Sequence, residues 1–289
     1  MKKIKLFIVS ILIILNSATL IADDFNDWKV KFKKRAIKEG VSKETVDKLI
    51  DRSKFLSDVI KYDRYQPEFY EDTKTYISKR TSSKKVKLGK IILNKENNII
   101  NKVSSEYKVD KNLLLALMGI ETNFGNYLGK MDIVSSLATL SYDQRRSEFF
   151  TKELITLLKL VDAKIIDPST LFGSWAGAFG NFQFMPSTIK NYAIDYDNDG
   201  SIDLKNIEDS FASAANYLSN LGWNDNTPCF YRINLNENIP DKYLNTSAKK
   251  IKHERKVKYL KNYIKNSSFL DKYDNLTAAI VTPDAEIVE

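Results

Sequence analysis

The sequence predicts a mainly α-helical protein, and three observations carry that prediction. Apolar residues recur at helical spacing from Trp28 to Phe55 and again from residue 91 onward. Sustained strand-like alternation of apolar and polar residues is scarce before residue 229. With 43% hydrophobic and 28% charged residues, the 289-residue chain is globular in composition and can bury one large core or two smaller ones.

Residues 1–22 have the layout of a secretory signal peptide. Lysines precede an apolar run from Leu6 to Leu15, and small or polar residues lead to Ala22, the expected cleavage site. A retained membrane anchor is the alternative, because the apolar stretch approaches the lower limit of about 17 residues for a spanning helix. No cysteine follows the run, so a lipoprotein is not predicted. We expect export to the periplasm or cell envelope.

Charge and two rare residues narrow the classes of function. The net charge of +8 favours an anionic partner, although a solvated lysine-rich surface would give the same value. Nucleic acid would fit the charge, but export argues against it. Cys229 is the single cysteine, which excludes an intramolecular disulfide. The single histidine, His253, lies in a lysine-rich stretch, so a cysteine–histidine catalytic pair is not expected.

An N-terminal helical region is predicted for residues 23–90. Ser42 precedes KETVDKLI and is followed by Glu44 in the first turn, a pattern typical of a helix start. The segment from Lys79 to Lys90, KRTSSKKVKLGK, is basic and polar without periodicity. It predicts a loop that leads out of this region.

Helical spacing resumes in residues 91–228. Asp110 is a suitable N-cap for KNLLLALMGIE. Further helices are predicted from IVSSLATLSY, from RRSEFFTKELITLLKLVDAK ending near Pro168, and from DSFASAANYLSNLG ending at Gly222. Residues 229–289 form a third region, with a lysine-rich helical stretch around 250–265 and a short apolar run near the end.

Glu121 follows LLLALMGI, residues 113–120, which is apolar on every side and predicts a helix deep in the core. A carboxyl group at the end of such a helix is partly desolvated, which raises its pKa toward the range of a general acid. A structural glutamate held by an arginine or by backbone amides is the alternative, since structural ion pairs also shift pKa values.

A glycine- and aromatic-rich segment, LFGSWAGAFGNFQFMPST, spans residues 171–188. Glycines let a backbone approach a ligand closely, aromatic faces suit sugar rings, and Ser174 and Gln183 can hydrogen-bond hydroxyl and acetamido groups. The segment is typical of a saccharide cleft wall. A tight helical connection with a packed aromatic core fits the same residues.

The acidic segment DYDNDGSID, residues 195–203, matches the start of an EF-hand calcium loop. Gly200 permits the sharp turn of such a loop. The ligands expected from the pattern are the side chains of Asp195, Asp197 and Asp199 and the carbonyl of Ser201. Position twelve is Asn206 instead of glutamate, so the closing carboxylate must come from elsewhere, with Glu208 and Asp209 the nearest candidates. An acidic turn without an ion is the alternative.

Together these segments resemble the lytic murein transglycosylases of the B type. The matching stretches, in the same order and spacing, are GIETNFG at 119–125, SLATLSYDQRRSEFF at 136–150, GSWAGAFGNFQFMPST at 173–188, YAIDYDNDGSIDLKNIEDS at 192–210 and ANYLSNLGW at 215–223, with DRYQPEF at 63–69 upstream. The resemblance implies a mainly α, lysozyme-like transglycosylase domain with an EF-hand-like calcium loop and a small irregular or β subregion. Its catalytic core would span 91–228, with the loop at 195–209 and an incomplete C-terminal part at 229–289.

The resemblance also implies roles for individual residues. Glu121 matches the catalytic acid and base, Ser174 and Gln183 match cleft residues, and Arg145 and Arg146 match a basic pair near the bound glycan and peptide. The implied calcium ligands are Asp195, Asp197, Asp199, the Ser201 carbonyl and Asp209. Asp209 is thereby implied as the closing ligand.

The implied reaction is not hydrolysis, since a two-carboxylate glycosidase needs a second acidic residue across the scissile bond. Glu121 would protonate the oxygen between MurNAc and GlcNAc while the acetamido group of the substrate stabilises the cation. It would then remove the proton of the muramyl C6 hydroxyl, which gives 1,6-anhydromuramic acid. We expect calcium as a structural cofactor, no organic cofactor, and peptidoglycan as the partner of a monomer.

Departures from the family support an alternative function. Asp143-Gln144 stands where the family usually has Tyr-Pro and one further residue, and Phe149 replaces what is often a tyrosine. The final TPDAEIVE does not continue into the Asn-Phe and Arg-Tyr-Asn stretches that complete the family's cleft. Either the chain is truncated at its C-terminus or its cleft is incomplete, and the alternative function is a non-catalytic or inactive peptidoglycan-binding protein.

Overall fold

The structure, a computed structural model, describes residues 24–65, 72–223, 228–246 and 251–282. The predicted signal peptide, most of TPDAEIVE and part of DRYQPEF lie outside these ranges. Residues 24–65 and 82–223 form one compact unit, and residues 72–81, 228–246 and 251–282 form a second. Helices on both sides of residue 90 therefore share the first unit.

Helices dominate the described chain, which confirms the predicted fold class. In chain order they are α1 (residues 24–38), α2 (Lys43–Ile50), α3 (Ser57–Arg64), α4 (Thr73–Arg80), α5 (Ser83–Lys95), α6 (Asn97–Tyr107), α7 (Lys111–Thr122), α8 (Ile133–Tyr142), α9 (Ser147–Asp162), α10 (Pro186–Tyr192), α11 (Ile207–Asn220) and α12 (Val257–Leu260). Among the described helices, none is long and apolar enough to cross a membrane.

The caps predicted from the sequence are present. The Ser42 side chain accepts a hydrogen bond from the backbone N–H of Thr45 at the start of α2. The Asp110 carboxylate accepts two at the start of α7. Gly222, with φ +91°, follows the end of α11 in the left-handed conformation that glycine adopts without strain.

Two predictions were wrong. The segment from Lys79 to Lys90 is not a loop, because α4 and α5 cover it apart from residues 81 and 82. Lysine is a good helix former, and Leu88 and Ile92, four residues apart, are both half-buried on α5. In the described residues 251–265 the lysine-rich stretch forms a two-residue strand, the short helix α12 and a 3-10 turn at Lys261–Tyr263 in place of one long helix, because it has too few apolar residues to bury a longer helical face.

Helix α8 is buried along its length in the first unit. Every residue from Ile133 to Ser141 is buried, and α9 packs along the helix. The hydroxyl groups of Ser135 and Thr139 accept hydrogen bonds, each of 3.0 Å, from the backbone N–H groups of Lys54 and Leu56. The segment between α2 and α3 therefore covers one side of α8.

Two-residue strands complete the described fold. In the first unit β1 (Met131–Asp132) pairs antiparallel with β2 (Phe172–Gly173), which brings the start of α8 to the glycine-rich segment. In the second unit β3 (Leu244–Asn245) pairs parallel with β6 (Ile280–Val281), and β4 (Arg255–Lys256) pairs antiparallel with β5 (Thr277–Ala278). A small separate core of Val257, Leu260, Ile264, Leu270 and Ile280 holds the second unit together.

Glu153 of α9 joins this helix to α10. The residue is 5% exposed, and its carboxylate accepts hydrogen bonds from the backbone N–H (2.8 Å) and hydroxyl (2.6 Å) of Ser187. Ser187 lies in the first turn of α10, where unpaired N–H groups and the helix dipole favour a negative charge.

Replacing this carboxylate should destabilise the fold. We expect Glu153→Ala to lower the free energy of unfolding by about 1–3 kcal/mol, because both donors of the part-buried Ser187 lose their acceptor. Urea unfolding followed by circular dichroism measures the change. The exposed Lys159→Ala on α9 is the matched control and should stay within about 0.5 kcal/mol of the wild type. A Glu153→Ala variant as stable as this control would contradict the expectation.

Candidate active site

Glu121 is the penultimate residue of α7 and lies where one face of the helix reaches solvent. Leu114 and Met118 are buried, but Ile120 is 42% exposed and Glu121 is exposed beside it. The expectation that this helix is buried on every side was therefore wrong. The exposed Ile120 leaves an apolar side chain accessible next to the carboxyl group.

The carboxyl group of Glu121 has no hydrogen-bond or ion-pair partner among the residues that the structure describes. Desolvation by the surrounding protein raises its pKa above the ordinary value for a glutamate. The direction agrees with the sequence-based expectation. A carboxyl in this state holds its proton to a higher pH than a solvated one, which suits a proton donor.

The turn after α7 fixes how the end of the helix meets the rest of the unit. Asn123, Phe124 and Gly125 all have positive φ angles, of 50°, 59° and 79°. Phe124 in this conformation is strained, and its ring packs on Gly119, where an added Cβ would lie 2.7 Å from the ring. The ring also packs on Gly89 of α5, where the same distance would be 3.0 Å. Only glycine permits this close approach beside Glu121.

Hydrogen bonds join this turn to the glycine-rich segment. Thr122, which is buried, donates from its hydroxyl group to the carbonyl oxygen of Asn181 (2.9 Å) and accepts from the N–H of Gly125 (3.0 Å). Gln183, at φ +50°, donates from Nε2 to the carbonyl oxygens of Gly180 (3.0 Å) and Leu128 (3.4 Å). The structure therefore brings the end of α7 and residues 180–183 together.

The side chain of Ser174 helps to form the same segment. Its hydroxyl oxygen accepts a hydrogen bond from the N–H of Ala178 (3.1 Å), and its own N–H donates to the Ala178 carbonyl oxygen (2.8 Å). Ser174 and Gln183 are both half-buried.

The aromatic residues of this segment divide into two groups. Phe179, Phe182 and Phe184 are buried, with Phe182 edge-on to Phe211. These three residues therefore belong to the packed aromatic core that was the alternative to a saccharide cleft wall. Trp175 is half-buried and keeps an accessible face.

Arg145 and Arg146 lie between α8 and α9 and both face Asp63 of α3. Arg145 donates from Nε to the Asp63 carboxylate (2.8 Å) and from Nη2 to the Asp63 backbone oxygen (2.6 Å). Nη1 of Arg146 lies 3.4 Å from the other carboxylate oxygen. Asp63 begins the stretch DRYQPEF that resembles the family, but the sequence alone assigned no role to this residue.

The acidic loop gathers three of the predicted metal ligands. Carboxylate oxygens of Asp195, Asp197 and Asp209 lie within 4.8 Å of one another. Asp209 is 1% exposed and accepts hydrogen bonds from the backbone N–H groups of Tyr196 (2.7 Å) and Asp203 (2.9 Å). Desolvation raises the pKa of Asp209, as expected for a buried carboxylate.

One predicted ligand, Asp199, and the residue at position twelve, Asn206, make other contacts within the loop. The carboxylate of Asp199 lies outside this group of three and accepts hydrogen bonds from the N–H (2.8 Å) and hydroxyl (3.0 Å) of Ser201. Asn206, at position twelve, donates to Asp197 (2.6 Å) and caps α11 with its side-chain oxygen. Asn206 thus holds Asp197 in place, a role that the EF-hand pattern does not suggest.

A shallow groove of about 520 Å³ in the second unit contains none of these residues. Its lining is Arg232, Ile233, Asn234, Lys265, Asn266 and Phe269.

Comparison with known proteins identifies relatives over most of the chain. Residues 24–287 match the transglycosylase SLT domain. The membrane-bound lytic murein transglycosylase B of Escherichia coli (strain K12) is 38% identical over 149 residues, which are 51% of this chain and 41% of that protein. The match therefore spans less than half the length of this curated relative.

Solved structures share the fold. SltB3 from Pseudomonas aeruginosa, in complex with NAG-anhNAM-pentapeptide, has a TM-score of 0.83 and 28% identity over 90% of this chain and 69% of that one. The Escherichia coli lytic transglycosylase Slt35, in complex with calcium, has a TM-score of 0.71 and 27% identity over 87% of this chain and 78% of that one. These matches confirm the resemblance found in the sequence. The chain belongs to the family of proteins built on the transglycosylase SLT domain.

Proposed function

We propose that this protein is a lytic transglycosylase that cleaves the bond between MurNAc and GlcNAc in peptidoglycan without water, with Glu121 as its single acid and base. The observation that carries the proposal is the desolvated carboxyl group of Glu121, which has no partner among the described residues. A glutamate held by an arginine or by backbone amides would be a structural residue, and Glu121 makes neither contact within the described chain.

Each step uses one state of this carboxyl group. The neutral acid donates its proton to the glycosidic oxygen as the bond to C1 breaks. The resulting carboxylate then accepts the proton of the muramyl C6 hydroxyl, whose oxygen bonds to C1 and forms the 1,6-anhydro ring. Glu121 ends the cycle protonated. The proposal needs no second carboxylate across the bond, unlike a two-carboxylate glycosidase.

Ser174 and Gln183 are proposed to bind the glycan with atoms that the fold leaves available. The Ser174 oxygen accepts from Ala178, which leaves its O–H free to donate. Gln183 uses Nε2 toward two carbonyl oxygens, which leaves Oε1 free to accept from a sugar hydroxyl. Arg145 and Arg146 are proposed to contact the acidic groups of the strand.

Calcium binding at the acidic loop is part of the proposal. The fit rests on three converging carboxylates, of which Asp209 is buried. Asp195, Asp197, Asp199, the Ser201 carbonyl and Asp209 would hold the ion, with oxygen ligands of the kind that calcium prefers. The ion would be structural and would offset the charge repulsion within the loop. The related Escherichia coli structure with calcium supports this assignment.

Peptidoglycan of the cell envelope is the proposed substrate. The related SltB3 structure is a complex with NAG-anhNAM-pentapeptide, and the curated relative is named as membrane-bound. The predicted leader agrees with an envelope location.

Glu121→Gln should abolish product release, because the amide can neither donate nor accept the transferred proton at these steps. Mass spectrometry of muropeptides released from purified peptidoglycan measures the anhydromuramic acid ends. Glu44→Gln, the same chemical change at an exposed residue of α2, is the control and should retain full activity. Reducing ends in the wild-type products would indicate a hydrolase. Binding to insoluble peptidoglycan without turnover would favour the non-catalytic alternative, and unchanged activity in Glu121→Gln would make Glu121 structural.

Glu121→Gln should also stabilise the protein near neutral pH. Partial desolvation of its carboxyl group raises the folded-state pKa of Glu121, so the contribution of this group to stability is present below its unfolded-state pKa and is lost as the pH rises through the folded-state pKa. Glutamine is neutral throughout and avoids that loss. Melting temperatures of both proteins across an acidic to neutral pH series should therefore diverge as the pH rises. A difference independent of pH would contradict the expectation.

Chelation should lower the melting temperature, because an ion that binds only the native state stabilises it by mass action. Differential scanning fluorimetry with EGTA and with added calcium measures the shift. Asp209→Asn should remove most of the calcium-dependent shift, whereas Glu208→Gln, at the exposed neighbouring acid, should preserve it. Identical melting curves of the wild type with and without calcium would refute the assignment, and loss of the shift only in Glu208→Gln would reassign the closing ligand.

A further inference from the structure

The carboxylate that faces the arginine pair is far more buried than the arginines themselves. The side chain of Asp63 is 1% exposed, and those of Arg145 and Arg146 are 45% and 42% exposed. A buried carboxylate needs positive partners to offset its lost hydration, and both oxygens of Asp63 have one. The arginines are thus held from the protein side while their outer edges face solvent.

The hydrogen-bonding capacity of the arginines is only partly used. Among the described residues, Nη1 of Arg145 and Nη2 of Arg146 have no acceptor. The guanidinium group of Arg146 lies over the rings of Phe149 (5.1 Å) and Phe150 (4.8 Å), which restrains its plane. Donors on a restrained plane lose little freedom when they bind a planar oxyanion.

Counted over the described residues, this cluster carries a net positive charge. Two guanidinium groups meet one carboxylate, and the neighbouring Arg64 is paired with Asp143 at 2.8 Å. Without Asp63 the two adjacent guanidinium groups would repel each other and move apart into solvent. With Asp63 in place, both guanidinium groups contact its carboxylate on one side and keep unpaired donors on the other.

We propose that Asp63 is a positioning residue that holds Arg145 and Arg146 as a receptor for the free carboxylates of the peptide stems on the glycan strand. The inference rests on the proposed function for the identity of the ligand. Carboxylates match the fork of a guanidinium group, and hydrogen bonds between the two are strengthened by charge. Asp63 itself does not touch the substrate.

The test compares two substrates and one variant. KM and kcat are measured on soluble glycan strands with native stems and on the same strands after their free carboxyl groups have been converted to neutral amides. For the wild type, neutralisation should raise KM about tenfold with little change in kcat. Asp63→Asn should show the raised KM on native strands already and should no longer distinguish the two substrates. A purely structural role would weaken activity on both substrates by the same factor, and that result would overturn the inference.

Binding separates this inference from the proposed function. In the inactive Glu121→Gln background, Asp63→Asn should weaken binding to native strands about tenfold and leave binding to neutralised strands unchanged. This arm decides the role of Asp63 even if the wild type releases no anhydro product. If Asp63→Asn does not fold, Asp63→Glu keeps the charge but displaces both arginines. Its discrimination between the substrates should then be smaller than that of the wild type, and equal discrimination would refute the proposal.

Discussion

Burial of helix α8 is the constraint on which the first unit depends. Because every residue from Ile133 to Ser141 is buried, the surrounding segments must cover the helix on all sides. Its first residue follows β1, which pairs with the glycine-rich segment, and its last residue leads into the loop of Arg145 and Arg146. Helix α8 therefore connects both regions proposed to contact the glycan, the glycine-rich segment at its start through β1 and the arginine loop at its end.

Local signals in the sequence were enough to predict much of the fold. Ser42 and Asp110 cap helices as predicted, because a capping hydrogen bond involves only residues two or three positions apart. Asp195 and Asp197, two of the three side chains expected from the EF-hand spacing, lie close together, whereas Asp199 lies outside the group. The raised pKa of Glu121 agreed in direction with its place at the end of an apolar helix.

Features that depend on distant segments could not be predicted. Ile120 of α7 is exposed because of which elements pack against the helix. The apolar sequence of the helix cannot predict those packing partners. The contact between Asp63 and Arg145 joins residues 82 positions apart. The first part of helix α5 was predicted as a loop because its lysines interrupt a weak apolar spacing. Neither the burial of Phe179, Phe182 and Phe184 nor the partial exposure of Trp175 follows from aromatic composition.

The packing of Phe124 on Gly119 and Gly89 has a consequence for protein engineering. Replacing a glycine inside a helix by alanine is a common route to higher thermal stability, because it reduces the freedom of the unfolded chain. At Gly119 the new methyl group would lie 2.7 Å from the Phe124 ring, so the ring and the strained turn that carries it would have to move. A design method that scores helix propensity alone would select a substitution that displaces Phe124, in the turn that follows the proposed catalytic acid.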